Sequence, residues 1–264
     1  MAKNRNLRLW HLLLPALGSL SGWAYAASPP LSKVPFVGCP LLSMGTPVAA
    51  PHRAPRIVAV KASLAARIAY YAGASQYWPG AYAPRGWHCR VWSGANGSFM
   101  VVTPEPPPDV TPHASVTGPG VFASISIGGT GGRFDVAQVG ARFFPQALRA
   151  FIQKVRTGDA DLPAAHFVVK PYPDDIATQV GNRMIEFTTP AFHEGFGTSG
   201  AYPIFMVSDQ AVRGLVAFSV KPPAASPTWP NLQEYEIRLP KKERSLAMPL
   251  IQLEEQCLKD RLGC

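Results

Sequence analysis

The sequence predicts an α+β fold, a largely antiparallel sheet flanked by two or three helices and braced by disulfides. Three observations carry this. Apolar runs with the two-residue period of half-buried strands, bounded by Gly, Pro and Asn, recur through the second and third thirds of the chain. Helical patterns interrupt them without the regular strand–helix alternation that builds a doubly wound parallel sheet. Finally, the cysteines are even in number: Cys39, Cys89, Cys257 and Cys264.

Residues 1–26 read as a signal peptide. Lys3, Arg5 and Arg8 precede an apolar run, Leu9–Leu20, and Ala24-Tyr25-Ala26 offers small residues to a signal peptidase. At ~1.5 Å per helical residue that run reaches roughly 18 Å, short of a ~30 Å bilayer core. No cysteine lies near the cut to take a lipid, and no later stretch is long and apolar enough to span a membrane. The expected location is the periplasm or the extracellular space, where four exported cysteines pair as disulfides. Cys39–Cys89 and Cys257–Cys264 are the favoured pairs of the three connectivities. An unbroken helix would hold Cys257 and Cys264 about 10 Å apart, and Gly263 allows the chain to turn back.

Residues 27–60, rich in Pro, Ala and Val, form an extended lead-in, and 61–264 form a single α+β domain. Ser63–Ala72 reads as the first helix, capped by Ser63, with Leu64, Ile68, Tyr71 and Ala72 on one face and Gly73 closing it. A hairpin follows, Trp87–Trp92 against Ser98–Thr103, reversed at Asn96-Gly97, with Cys89 on the buried face. Gly120–Ile127 alternates as a strand. Pro145–Thr157 has the strongest helical stripe, Leu148, Phe151, Ile152 and Val155 opposite Arg149, Gln153 and Arg156. Strands then read at His166–Lys170, Arg183–Thr188, Tyr202–Val207, Val212–Lys221 and Gln233–Leu239, before a final helix, Pro249–Leu262.

An apolar content of 47% supplies a core and argues against general disorder. Removing residues 1–26 takes three of 25 basic residues and none of 16 acidic ones, leaving a charge of +6 on 238 residues. That balance favours anionic partners such as phospholipid, lipopolysaccharide or cell-wall polymer. The basic residues are scattered, and their densest run, Lys241-Lys242-Glu243-Arg244, reads as a solvated loop. No helix interleaves a basic stripe with aromatics, which argues against nucleic acid.

The chemical motifs are incomplete. Gly128–Gly132 (GGTGG) follows a strand, but Phe134 stands where a dinucleotide fingerprint needs its third glycine, and no P-loop Lys follows. His193-Glu194-Gly195-Phe196-Gly197 starts like a zinc-protease helix and lacks the second His. Gly197-Thr198-Ser199-Gly200 misses the nucleophile elbow because Ala201 ends it. Glu186, Glu194, Asp174 and Asp175 offer carboxylates for acid/base work without a marker of desolvation. His52, His88, His113, His166 and His193 show no metal-ligand spacing, and no C-x-x-C occurs, so no metal or cofactor is expected. Tyr77, Trp78, Tyr82, Trp87 and Trp92 cluster around the hairpin, where outward rings would make an apolar or sugar-stacking surface.

Ala83-Pro84-Arg85-Gly86-Trp87-His88-Cys89, Gly97-Ser98, Val102-Thr103-Pro104, Glu186–Ala191 and Glu194–Thr198 resemble a group of exported proteobacterial proteins of unassigned activity. The resemblance runs loosely over residues 55–240 and implies export and a shared fold, with no catalytic residue to carry over. The P-x-G-W opening of the hairpin, with a closing helix, also resembles the PsbP-like sandwich at the level of fold alone. The resulting expectation is an exported, non-enzymatic periplasmic protein that binds an anionic envelope component or a protein partner. The alternative is an envelope hydrolase using His193, Glu194 and Ser199. A secreted factor acting on a host or competitor fits the same export signal.

Overall fold

The computed structural model describes residues 30–74, 80–107, 116–158, 164–199, 205–219 and 229–259. Residues 1–26, which the sequence reading assigns to a signal peptide, and Cys264 lie outside them. Five short strands open the chain: β1 (Leu31–Val34), β2 (Phe36–Gly38), β3 (Leu41–Ser43), β4 (Thr46–Val48) and β5 (Arg56–Ala59). A single turn, α1 (Ala62–Ala65), leads to β6 (Ile68–Ala72) and β7 (Ala81–Pro84). The expected helix over Ser63–Ala72 therefore stops after one turn. Its second half is a strand buried at every position, because Ile-Ala-Tyr-Tyr-Ala is apolar throughout and lies between two strand neighbours and the core.

The hairpin is present as β8 (His88–Gly94) and β9 (Gly97–Thr103), with Gly94 opposite Gly97, and β10 (Gly120–Ile127) pairs with β9. Gly128–Gly132 is a turn that feeds α2 (Arg133–Phe143), a helix the sequence did not announce. The helix expected from Pro145 begins at Arg149 as α3 (Arg149–Thr157), after a turn. His166–Lys170 carries no strand. β11 (Ile176–Gln179) and β12 (Met184–Thr189) follow, then the one-turn α4 (Phe196–Ser199), β13 (Val212–Ser219) and β14 (Asn231–Arg238). Most of the expected strand Tyr202–Val207 lies outside the described residues; Phe205 makes one bridge to Val116. Lys241–Leu246 winds as a 3-10 helix rather than an open loop, and α5 (Ala247–Lys259) completes the fold. Among the described residues there are thus five α-helices, two of them single turns, rather than two or three.

Nine strands form one sheet in the order β11-β12-β13-β14-β10-β9-β8-β3-β4, antiparallel at every junction except β3–β8. Smaller sheets are β2-β6-β7 and β1-β5. Both faces of the large sheet are covered. On one, Val91, Met100, Val121, Leu215 and Ile237 pack with β6, β7 and Leu250 and Ile251 of α5. On the other, Phe187, Val216, Phe218 and Leu232 lie under α2 and α3, while Trp92, Val101, Phe122 and Phe205 form a separate apolar patch. Burying each such side chain stabilises the fold by about 1.5–3 kcal/mol. Cys39 and Cys89 form a disulfide with their Cα atoms 5.3 Å apart, tying residues 50 positions distant in the chain. No described cysteine is free, and the expected partner of Cys257 lies outside the described residues. Among the described residues no helix is long and apolar enough to cross a membrane.

Candidate functional site

The loop from Pro190 to Ser199 is organised by a buried carboxylate. Asp175, whose side chain is 1% exposed, pairs with Arg142 Nη2 at 3.0 Å. It also accepts from Thr189 Oγ1 at 2.7 Å and from the Phe196 N–H at 2.9 Å. Thr189 Oγ1 in turn accepts from the Gly197 N–H at 3.0 Å. Gly195 is needed here because a Cβ would stand 2.2 Å from Asp175 Oδ1. Arg142 stacks 4.6 Å from the Tyr172 ring, whose hydroxyl donates to the Ser199 carbonyl at 2.6 Å. This network fixes a loop and leaves its central carboxylate no room for a ligand.

The three residues singled out in that loop are not brought together. His193 Nδ1 pairs with Asp174 Oδ2 at 3.1 Å, both half exposed. Glu194 faces Lys170 at 3.6 Å, again in solvent. Ser199 ends α4, and among the described residues no hydrogen bond joins it to His193. Exposed pairs of this kind contribute little to stability. Glu186 sits half-buried on β12, opposite Thr178 and Leu215. Among the described residues no group of His, Cys, Asp and Glu is arranged to hold a metal ion.

Two concavities lie elsewhere. One, about 480 Å³, runs between the β3–β4 turn and the β8–β9 turn over Trp92 and Phe99. Those rings stack at 4.9 Å, and Trp92 is only 5% exposed, so it serves the core more than a ligand. The groove's polar groups are all neutral, from Ser93, Asn96, Ser98 and Ser126.

The second, about 400 Å³, opens where β13 and β14 meet the 3-10 helix and the start of α5. Its lining is apolar at Ala191, Ala211, Leu239, Ala247 and Met248. Two arginines line it from different elements, Arg213 on β13 and Arg244 on the 3-10 helix. Among the described residues neither has a carboxylate at ion-pair distance. Arg213 Nη1 instead lies 2.8 Å from Met248 Sδ, a weak acceptor. Asp209 and Gln210 complete the polar rim. Five N–H donors per arginine in a planar fork suit an oxyanion, and a thioether uses few of them. No local pattern signals this pairing: Arg213 stands inside an apolar strand, and Arg244 belongs to a run read as solvated.

A buried polar line runs beneath α2. Glu234, Glu236 and Arg238 alternate along β14 on the same face, each at most 5% exposed. Ser124 Oγ donates to Glu234 Oε2 at 3.3 Å, and burial, with the nearby Asp135, pushes the Glu234 carboxyl up to about 8. Burial, reinforced by Glu234, raises the Glu236 carboxyl well above its usual range. Arg238 lies 4.8 Å over the Phe205 ring and donates to the Met206 carbonyl. Burial thus favours the uncharged form of both carboxyls, and none of the three residues lines either cavity described above.

No family model, curated protein or solved structure matches this chain.

Proposed function

We propose that this is an exported, non-enzymatic binding protein of the periplasm or extracellular space, and that it takes an anionic envelope component in the cleft bordered by Arg213 and Arg244. The observation that carries the reading is a pair of arginines that, among the described residues, form no ion pair with a carboxylate and border an apolar lining. The positive balance of the chain beyond residue 26 agrees with it, since a net cation attracts anionic surfaces and ligands. The Cys39–Cys89 disulfide is compatible with an oxidising compartment. The hydrolase alternative has one half of a relay, an imidazole oriented by Asp174, but no nucleophile bonded to it.

Two measurements test the proposal. Intact mass of protein recovered from the cell exterior or periplasm should correspond to loss of residues 1–26; a full-length cytosolic product refutes export. Protein incubated with a total envelope lipid extract and recovered by gel filtration should carry an anionic species identifiable by mass spectrometry. The Arg213→Gln/Arg244→Gln protein should carry at least tenfold less, and equal loading of the two refutes the cleft as the binding site.

A further inference from the structure

We infer that the ligand of this cleft is a single-chain amphiphile with an oxyanion head, of the kind a medium-chain carboxylate represents; the inference rests on the binding reading above and specifies its ligand. Size sets the chain number. At about 400 Å³ the cleft lies at the small end of ligand sites, which run from about 300 to 1,000 Å³. A space of that size matches one alkyl chain better than two. Charge sets the head. Arg213 and Arg244 line the cleft from separate elements, with no ion pair to a carboxylate among the described residues, and Asp209 on the rim disfavours a second negative group beside the first.

The lining sets the tail. Ala191, Ala211 and Ala247 keep the walls low, and Met248 is an unbranched side chain that re-packs at little cost. Met248 is 39% exposed, and its sulfur lies 2.8 Å from the Arg213 guanidinium. A bound oxyanion replaces that weak acceptor with a charged one, and the freed thioether lies down on the chain. Head recognition and tail contact are thereby coupled through one residue. A purely polar anion site would not need Met248, and a purely apolar groove would not place two cations at its edge.

The test is an amide chemical-shift titration of the full exported chain with octanoate, decanoate, decanol, acetate and inorganic phosphate, each below its aggregation limit. Decanoate should shift the Ala191, Ala211 and Ala247 amides and bind about fourfold tighter for each methylene added to octanoate, the gain expected for a buried CH₂. Arg213→Gln/Arg244→Gln should weaken decanoate at least tenfold. Ala211→Leu, at an exposed position that tolerates enlargement, should fill the lining, abolish the chain-length dependence and leave both arginines in place. Acetate or phosphate binding as tightly as decanoate overturns the amphiphile and leaves anion binding standing. Decanol binding as tightly as decanoate, or shifts at these amides with none of the probes, overturns both readings. Should the double arginine variant fail to fold, the Ala211→Leu chain-length series still decides between head and tail.

Discussion

Glu254 places a carboxyl group where the fold has removed its water. It lies on α5, 4% exposed, and its Oε1 accepts the backbone N–H of Tyr82 on β7. Burial pushes this carboxyl up to about 8, against the partial opposition of the Tyr82 N–H and the Arg56 guanidinium. The unfolded chain ionises the same group near 4.5, so between the two values the folded state holds more protons. The stabilising contribution is complete below about 4.5 and is lost as the pH rises through about 8. At about 1.4 kcal/mol per pH unit, the whole window removes up to about 5 kcal/mol, against a typical total of about 5–15 kcal/mol. Glu254→Gln keeps an oxygen for the Tyr82 N–H and cannot ionise. Urea unfolding followed by tryptophan fluorescence at pH 5, 7 and 9 should find the two proteins within about 1 kcal/mol at pH 5. At pH 9 the glutamine variant should be the more stable by several kcal/mol. Glu234 and Glu236 titrate in both proteins, so the difference between the curves isolates Glu254. Parallel curves at all three values refute a buried, neutral Glu254. Glu254→Ala should instead cost about 1–3 kcal/mol even at pH 5, by leaving the Tyr82 N–H without an acceptor.

The Cys39–Cys89 bridge closes a span of 50 residues, so its loss should cost about 4 kcal/mol by loop-closure entropy, read as a drop in urea midpoint for Cys89→Ala. Gly214→Ala would put a Cβ 2.5 Å from the Tyr235 carbonyl and 2.6 Å from the Phe187 ring. It should destabilise by about 1–3 kcal/mol or more. Gly94→Ala, with nothing within 4 Å, should stay within about 0.5 kcal/mol. Asp175→Ala strands Arg142 and should cost about 3 kcal/mol or more, with hydrogen exchange accelerating first at the Phe196 and Gly197 amides.

The central hairpin, the strands β10, β12, β13 and β14 and the closing helix were legible because each has a clear period and clear punctuation. Ser63–Ala72 misled because apolar residues at positions 64, 68, 71 and 72 satisfy a helical stripe, while a strand buried on both sides satisfies the same residues equally well. α2 left little trace because its contact face is made of small residues: Val136, Ala137, Val139 and Gly140. A Cβ on Gly140 would stand 2.8 Å from Leu148 Cδ1, so Leu148 packs closely on this face without a visible apolar stripe in the helix. β11 is exposed at all four residues and owes its form to pairing with β12, a contact no local pattern encodes. The alternation in β14 is real, yet its charged side faces α2 instead of water. The cleft was invisible for a similar reason, since 31 residues and a chain reversal separate Arg213 from Arg244.

Backbone strain offers a further check on where function is placed. Among the described residues two non-glycines hold positive φ, Met44 at 48° and Phe192 at 64°, and both are apolar and about three-quarters exposed, at 73% and 74%. Met44 lines the groove over Trp92. Phe192 follows the cleft-lining Ala191, and its N–H donates to the Ser208 carbonyl, next to the rim residue Asp209. A left-handed backbone costs a bulky residue about 1–2 kcal/mol, and a ring so exposed gains little from burial in return. Phe192→Gly removes that strain and adds about 0.5–1 kcal/mol of unfolded-state entropy, so it should stabilise the protein by at most about 1.5 kcal/mol. If the ring extends the apolar wall for a ligand, the same variant should bind decanoate several-fold more weakly while gaining stability. A variant that loses stability would show that Phe192 has a packing role in the fold. One that gains stability and keeps full affinity would separate the strained turn from the cleft beside it.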